Sequence, residues 1–331
     1  RTEILAPTIP TKVPAEKRAK PRITVHLSSP RGFCAGVERA IKTVEETLSL
    51  YGAPVYVRHE IVHNAHVVAR LSAMGAIFVE SVAEAPTDRP IVFSAHGAPQ
   101  SAHDDAAQRK MVKIDATCPL VLKVHTQARR HVAAGRRVLL IGHANHPEVI
   151  GTMGQAPDGE ILLVQTINDA KSITPPDSRP LAYVTQTTLS VDDTAGIISA
   201  LKNRFPDIAG PAKEDICYAT SNRQDAVKAS APGTDLFVVI GSPTSSNSVR
   251  LVETAKAAGA KHAMLVEDAE QFDWDMIEGV SIIGLSAGAS APESLVEDFL
   301  AALAGDHTLD IKTIETAREN VVFNTPLRLA S

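Results

Sequence analysis

Three cysteines in 331 residues constrain this chain more than anything else in it, because of what surrounds each one. Cys34 follows ITVHLSSPRGF and precedes AGVERAIKTVEETL. Cys118 ends IDAT and is followed by Pro119, a residue suited to the first turn of a helix. Cys217 follows KEDI and precedes YATSNRQDAV. Each therefore reads as a strand-to-helix junction. The next polar groups beyond a strand, His63, His146 and Ser245, lie 29, 28 and 28 residues past their cysteines. A second set, His96, Thr187 and Ser290, lies 62, 69 and 73 residues on. Three such units imply a pseudo-threefold molecule that brings its thiols to a common axis.

Strand-like and helix-like runs alternate through the units. In the first, ITVHL leads to a helix over Val37, Ala40, Ile41, Val44 and Leu48 that Gly52 and Pro54 end. VYVRHEIV, AIFVE and IVFSAH read as further strands around the helix AHVVARLSAMG. In the second, Ser190 caps VDDTAGIISALKNRF. The expected fold is α/β: three pseudo-threefold-related lobes, a trefoil, with parallel sheets. Its units are a tail at 1–21 carrying four prolines, lobes at 22–116, 117–215 and 216–310, and a C-terminal arm at 311–331. Ligands of such sheets lie outside the carboxyl ends of the strands, where the spacing puts His63, His96 and His146.

A net charge of −5 supplies no field for nucleic acid or an anionic membrane. No apolar run reaches the roughly 18 residues of a membrane span, and a cytoplasmic location is expected. An odd number of cysteines argues against a disulfide framework. Neither GxxxxGK[ST] nor GxGxxG after a strand is present, and no HExxH; HANHPE lies on a loop. A scattered cysteine is often only a small buried hydrophobe, but the positional equivalence of these three favours a shared site. Three thiolates suit a soft metal or an iron–sulfur cluster. A closed structural zinc takes four ligands, so three leave a position open for chemistry.

Most of the 12 histidines are expected to be ordinary polar groups; His63, His96 and His146 differ by their repeat-equivalent positions, which His143 and His66 lack. Glu148 fits either a charge in the first turn of the helix after Pro147 or a proton source beside the axis. The turns TSSNS and SAGAS, with Ser245, Ser246, Asn247 and Ser290, usually would only cap helices, yet they hold symmetry positions equivalent to the histidines and Thr187. Six groups around one axis could clasp a small anion. A non-catalytic iron–sulfur carrier or sensor and a zinc-stabilised binding protein remain as alternatives, and neither has a use for such a ring of donors.

The segments PRGFCAGVERAI, YVRHEIVHN, FSAHGAP, DATCPLVLKVH, IGHANHPEVIGTMGQ, VTQTTLSVDDT, DICYATSNRQDAV, GSPTSSNSVRL and SAGASAP occur in order. With them the chain closely resembles the 4-hydroxy-3-methylbut-2-enyl diphosphate reductases from about Ile23 to its C-terminus. The resemblance implies a three-lobed α/β trefoil around a 4Fe-4S cluster, and the last step of the methylerythritol phosphate route to isopentenyl and dimethylallyl diphosphates. It implies that Cys34, Cys118 and Cys217 hold three irons, the fourth being left for the substrate oxygen. His63, His96, Ser245, Ser246, Asn247 and Ser290 would then hold the diphosphate, imidazolium among the donors, while His146, Thr187 and Glu148 serve the hydroxyl end, Glu148 as proton donor. With no flavin or nicotinamide fingerprint, the chain is expected to take electrons from a partner such as ferredoxin or flavodoxin.

Overall fold

A computed structural model describes residues 20–329, so residues 1–19 of the expected tail lie outside the described residues. Strand β1 (Arg22–Ser29) leads through Cys34 into α1 (Ala35–Tyr51), followed by β2 (Val55–Arg58), α2 (Ala65–Ala73), β3 (Ala76–Val79), β4 (Ile91–Phe93), α3 (Gln100–Gln108) and β5 (Lys113–Asp115). Cys118 opens α4 (Pro119–Ala133), and β6 (Arg137–Ile141), α5 (Pro147–Met153), β7 (Ile161–Val164), α6 (Ile167–Ser172), β8 (Leu181–Thr185) and α7 (Val191–Arg204) follow. Cys217 opens α8 (Tyr218–Ser230), and the chain continues through β9 (Leu236–Ile240), α9 (Ser246–Ala257), β10 (His262–Val266), β11 (Ile282–Ala287), α10 (Glu293–Asp306), β12 (Thr308–Glu315) and α11 (Pro326–Leu329).

These strands make three sheets, ordered β3-β2-β4-β5, β7-β6-β8 and β10-β9-β11-β1-β12. Neighbouring strands are parallel throughout. Every residue of β4, β6 and β9 is buried, because helices cover both faces of each sheet. In the first lobe, Ala40 and Val44 of α1 lie against Val55 and Val57 of β2, all without solvent exposure. Each such valine contributes roughly 1.5–3 kcal/mol by leaving water. Gly52, at φ 69°, ends α1 as the sequence indicates, its N–H returning to the Leu48 carbonyl, and Ser190 caps α7 by accepting from the Asp193 N–H.

Lobe membership departs from the linear reading at two points. Strand β1 lies in the third lobe's sheet, between β11 and β12. The described residues thus open partway through a repeat, and the strands ahead of Cys34 and Cys118 each belong to the lobe before: β5, ahead of Cys118, closes the first lobe's sheet. Ahead of Cys217 there is no strand, only a bridge between Ala209 and Ala182 of the second lobe's sheet. Gly210 and Pro211 interrupt the ladder there, and side chains take over its hydrogen bonds, the Thr185 N–H donating to the Asp215 carboxylate (3.2 Å). Each cysteine sits where the chain leaves one lobe for the next.

Candidate active site

The threefold repeat sets where the functional side chains fall. Arg58 to His63, Ile141 to His146 and Ile240 to Ser245 are equal steps of five residues past the ends of β2, β6 and β9. A helix begins directly after each step: Asn64 caps α2, while His146 and Ser245 themselves cap α5 and α9. His96 and Ser290 lie three residues past β4 and β11, and Thr187 two past β8. His63 is thus in a loop and not at a strand end as the sequence suggests. The consecutive burial of Ile61 and Val62 breaks strand alternation, and His59 turns the backbone at φ 59°.

All twelve residues singled out from the sequence line one cavity of about 100 Å³: Cys34, Cys118, Cys217, His63, His96, His146, Glu148, Thr187, Ser245, Ser246, Asn247 and Ser290. The three thiols are free. Burial, with the neighbouring Cys34, pushes the Cys118 thiol up to about 12 and the Cys217 thiol up to about 11. Thiols in such surroundings ionise only beside a strong positive charge, which a bound metal group supplies. Gly36 makes room for them: a Cβ there would stand 2.7 Å from the Cys118 sulfur and 3.8 Å from that of Cys34. Among the described residues no three His, Cys, Asp or Glu side chains close on a single ion. The three thiols around one cavity fit three-cysteine ligation of a cluster.

Three imidazoles occupy another part of the wall. His63 stacks on His96 with centroids 4.1 Å apart, and His146 stands edge-on to them at 5.7 and 6.0 Å. Burial, reinforced by the adjacent rings, pulls His96 well below the usual histidine range and His146 down to about 4. Both are therefore neutral in this cavity, whereas the sequence put imidazolium among the diphosphate-holding groups, His96 one of them. His146 Nδ1 accepts the Glu148 N–H (3.2 Å), which leaves its proton on Nε2. His63 Nδ1 meets the Glu60 carboxylate at 3.0 Å. His63 Nε2, His96 Nδ1 and both amide atoms of Asn247 are buried without a partner. An unmet buried polar group costs about 1–3 kcal/mol, and four such atoms around one cavity mark a place where a polar ligand belongs. Asn247 is in the first turn of α9, whose N-terminal dipole favours an anion. Around it the Ser290 hydroxyl donates to the His63 carbonyl (2.9 Å) and the Ser246 hydroxyl to the Thr188 carbonyl (3.0 Å).

Glu148 is 2% exposed. Its carboxylate accepts the Thr187 N–H at 2.6 Å and the Thr187 hydroxyl at 3.0 Å. Burial raises it to about 7, the nearby Asp215 adding to the effect and the Thr187 bonds opposing it. A carboxyl poised there carries a proton at neutral pH and can release it, as a general acid must. Neither His143 nor His66 joins the site: His143 faces a separate hollow of about 380 Å³, and His66 pairs with Asp268 at 2.9 Å. Sequence reasoning missed Glu60, Gly36 and Thr220, whose hydroxyl and N–H lie 3.0 and 3.4 Å from the Cys217 sulfur. The one available signal was their closeness in sequence, two or three residues from Cys34, His63 and Cys217.

A family model described as LytB protein matches residues 25–304. The chain is 58% identical over 94% of its length to a 4-hydroxy-3-methylbut-2-enyl diphosphate reductase of Hyphomonas neptunium, covering 99% of that protein. It is likewise 58% identical over 93% of its length to the reductase of that name from Paracoccus denitrificans, covering 97% of it. Among solved structures, it is similar to the E-1-hydroxy-2-methyl-but-2-enyl-4-diphosphate reductase of Plasmodium falciparum, with a TM-score of 0.87 at 39% identity over 94% of this chain and 97% of that one.

Proposed function

The chain belongs to the LytB family, and on that premise we propose that it removes the allylic hydroxyl of 4-hydroxy-3-methylbut-2-enyl diphosphate reductively, yielding isopentenyl and dimethylallyl diphosphates. The observation that carries this reading is a single cavity lined by three free thiols, a ring of unmet donors and a carboxyl raised to about 7. In the reaction the allylic C–O bond breaks, two electrons and two protons enter, and the hydroxyl departs as water. Cys34, Cys118 and Cys217 would hold a 4Fe-4S cluster, which when bound supplies the electrons and a Lewis-acidic open position.

The chain's own residues account for the rest. His63, His96, Ser245, Ser246, Asn247 and Ser290 would grip the diphosphate with imidazole N–H, amide and hydroxyl donors beside the N-terminus of α9. Desolvated donors of this kind bind an anion without a divalent cation. At the other end, protonated Glu148 can pass its proton to the Thr187 hydroxyl, which donates in turn toward the departing oxygen, so that water and not hydroxide leaves. The His146 N–H would hold the same oxygen in line. Val37, Val62 and Val121 supply apolar wall that keeps bulk water out.

The same proposal includes a one-electron donor of the ferredoxin or flavodoxin type and a cytoplasmic location. Among the described residues no helix is long and apolar enough to cross a membrane. It also takes 22–116, 117–215 and 216–310 as the three repeat units, with β1 exchanged into the third lobe's sheet. Anaerobic assays with reduced ferredoxin or flavodoxin should convert the substrate to both five-carbon products. Turnover at the same rate with NADPH alone, or no conversion with any one-electron donor, would contradict the reading.

A further inference from the structure

Each lobe lies between two cysteines, and in each a cation on the helix leaving the first cysteine reaches the loop entering the second. Arg39, five residues past Cys34, donates to the carbonyls of Thr117 (3.0 Å) and Asp115 (3.5 Å), directly ahead of Cys118. Lys123, five past Cys118, donates to the carbonyls of Lys213 (3.0 Å) and Glu214 (2.8 Å) and pairs with Asp215 (3.2 Å), directly ahead of Cys217. Arg223, six past Cys217, donates twice to the Gly32 carbonyl (3.0 and 2.7 Å) and once to that of Phe33 (3.1 Å), directly ahead of Cys34. The three links close a circle around the axis.

The C-terminal segment buttresses two of them, the Asn324 carbonyl accepting from Arg39 (2.8 Å) and the Glu319 carboxylate from Arg223 (2.9 Å). Arg223 is fully buried and Arg39 is 6% exposed, while the side chain of Lys123, which the C-terminal segment does not reach, is 32% exposed. A buried guanidinium is costly unless all its donors are met. What it gives here is several N–H bonds to backbone carbonyls at the points where the chain crosses between lobes. None of the three side chains lines the cavity.

We infer that Arg39, Lys123 and Arg223 are positioning residues that form a cyclic clasp, fixing the separation of the three cysteine sulfurs and surrounding the anionic cluster site with positive charge. The inference rests on the cluster reading above. Partners that orient metal ligands from behind typically matter 10- to 100-fold in metal affinity.

The test is anaerobic holoenzyme bearing Arg39→Met, Lys123→Met or Arg223→Met, challenged with a ferrous chelator and titrated for its midpoint potential. The two buried arginine variants should lose iron about 10- to 100-fold faster than the parent, Lys123→Met less so, and all three should be harder to reduce. Arg223→Lys, which keeps the charge, should hold a near-parental potential while losing iron at an intermediate rate. Arg137→Met is the control: that buried arginine pairs with Asp177 at 2.6 Å away from the cysteines, and its loss should lower the melting temperature alone. Parental iron loss and potential in the clasp variants, or equally fast loss in Arg137→Met, would overturn the clasp. Should Arg223→Met fail to fold, Lys123→Met, at a partly exposed site, decides by the same criteria. Iron analysis of the parent comes first, because a parent without iron refutes the cluster reading itself.

Discussion

Replacing Glu148 by Gln separates a proton donor from a helix cap. The amide keeps the size of the carboxyl, and its oxygen can still accept the Thr187 N–H, now 2.6 Å from Oε1. What it loses is the proton. General acid catalysis is typically worth about 10² to 10⁴ in rate, and turnover should fall by that amount while cluster and substrate binding persist. The parent's rate should also decline as pH rises past about 7, where the folded carboxyl ionises, and the residual rate of Glu148→Gln should lack that limb.

Stability gives a second, opposite readout. Between the ordinary value of 4.5 and about 7 the folded parent keeps a proton that the unfolded chain has lost, so the stability tied to that proton is fully present below about pH 4.5 and disappears as pH rises through about 7. Raising the carboxyl from 4.5 to about 7 corresponds to about 3.5 kcal/mol. Gln carries no such penalty, and the lost first-turn charge offsets only about 0.3–1 kcal/mol. The variant should therefore melt higher than the parent at about pH 8 and much like it near pH 4.5. Near-parental turnover together with a lower melting point at about pH 8 would refute the proton-donor role and leave Glu148 as a charge at a helix start.

Two further expectations follow from distances. Gly36→Ala sets a Cβ 2.7 Å from the Cys118 sulfur, so one ligand must move; iron content should fall sharply while the circular dichroism spectrum is retained, and full iron occupancy would show that the loop absorbs the change. Asn247→Ala removes both unpartnered amide atoms from the cavity. It should raise KM or the substrate Kd by about tenfold, the loss of one to two hydrogen bonds to a charged ligand, with no change in the cluster's absorption; unchanged substrate affinity would remove Asn247 from the anion site.

The residues of the site were legible in the sequence because a threefold repeat makes the chain its own comparison. Equal offsets from Cys34, Cys118 and Cys217 brought out His63, His146 and Ser245, and all three line the same cavity. What the pattern hid was the exchange of β1 into the third lobe's sheet, since strand pairing between sequence-distant segments leaves no local mark. KEDI reads as a strand end only by its position ahead of Cys217, yet Asp215 uses its carboxylate to hold the Thr185 N–H and Lys123 instead. Protonation was hidden too: His96 reads as an imidazolium donor in the sequence, and only its burial among other rings makes it neutral. Glu60, Gly36 and Thr220 act on neighbours already identified, and a polar residue or a glycine two or three positions away is too common to stand out.

The central claim is that three cysteines around one cavity, and no fourth protein ligand, hold an iron–sulfur cluster with an open position. The most direct measurement is iron and sulfide content with the visible and electron paramagnetic resonance spectra of anaerobically purified protein, beside Cys34→Ser, Cys118→Ser and Cys217→Ser. The account predicts about four irons and four sulfides per chain in the parent, a reduced-state signal that changes when substrate is added, and loss of the cluster in each variant. Zinc in place of iron, or full iron content in any one of the cysteine variants, would contradict it.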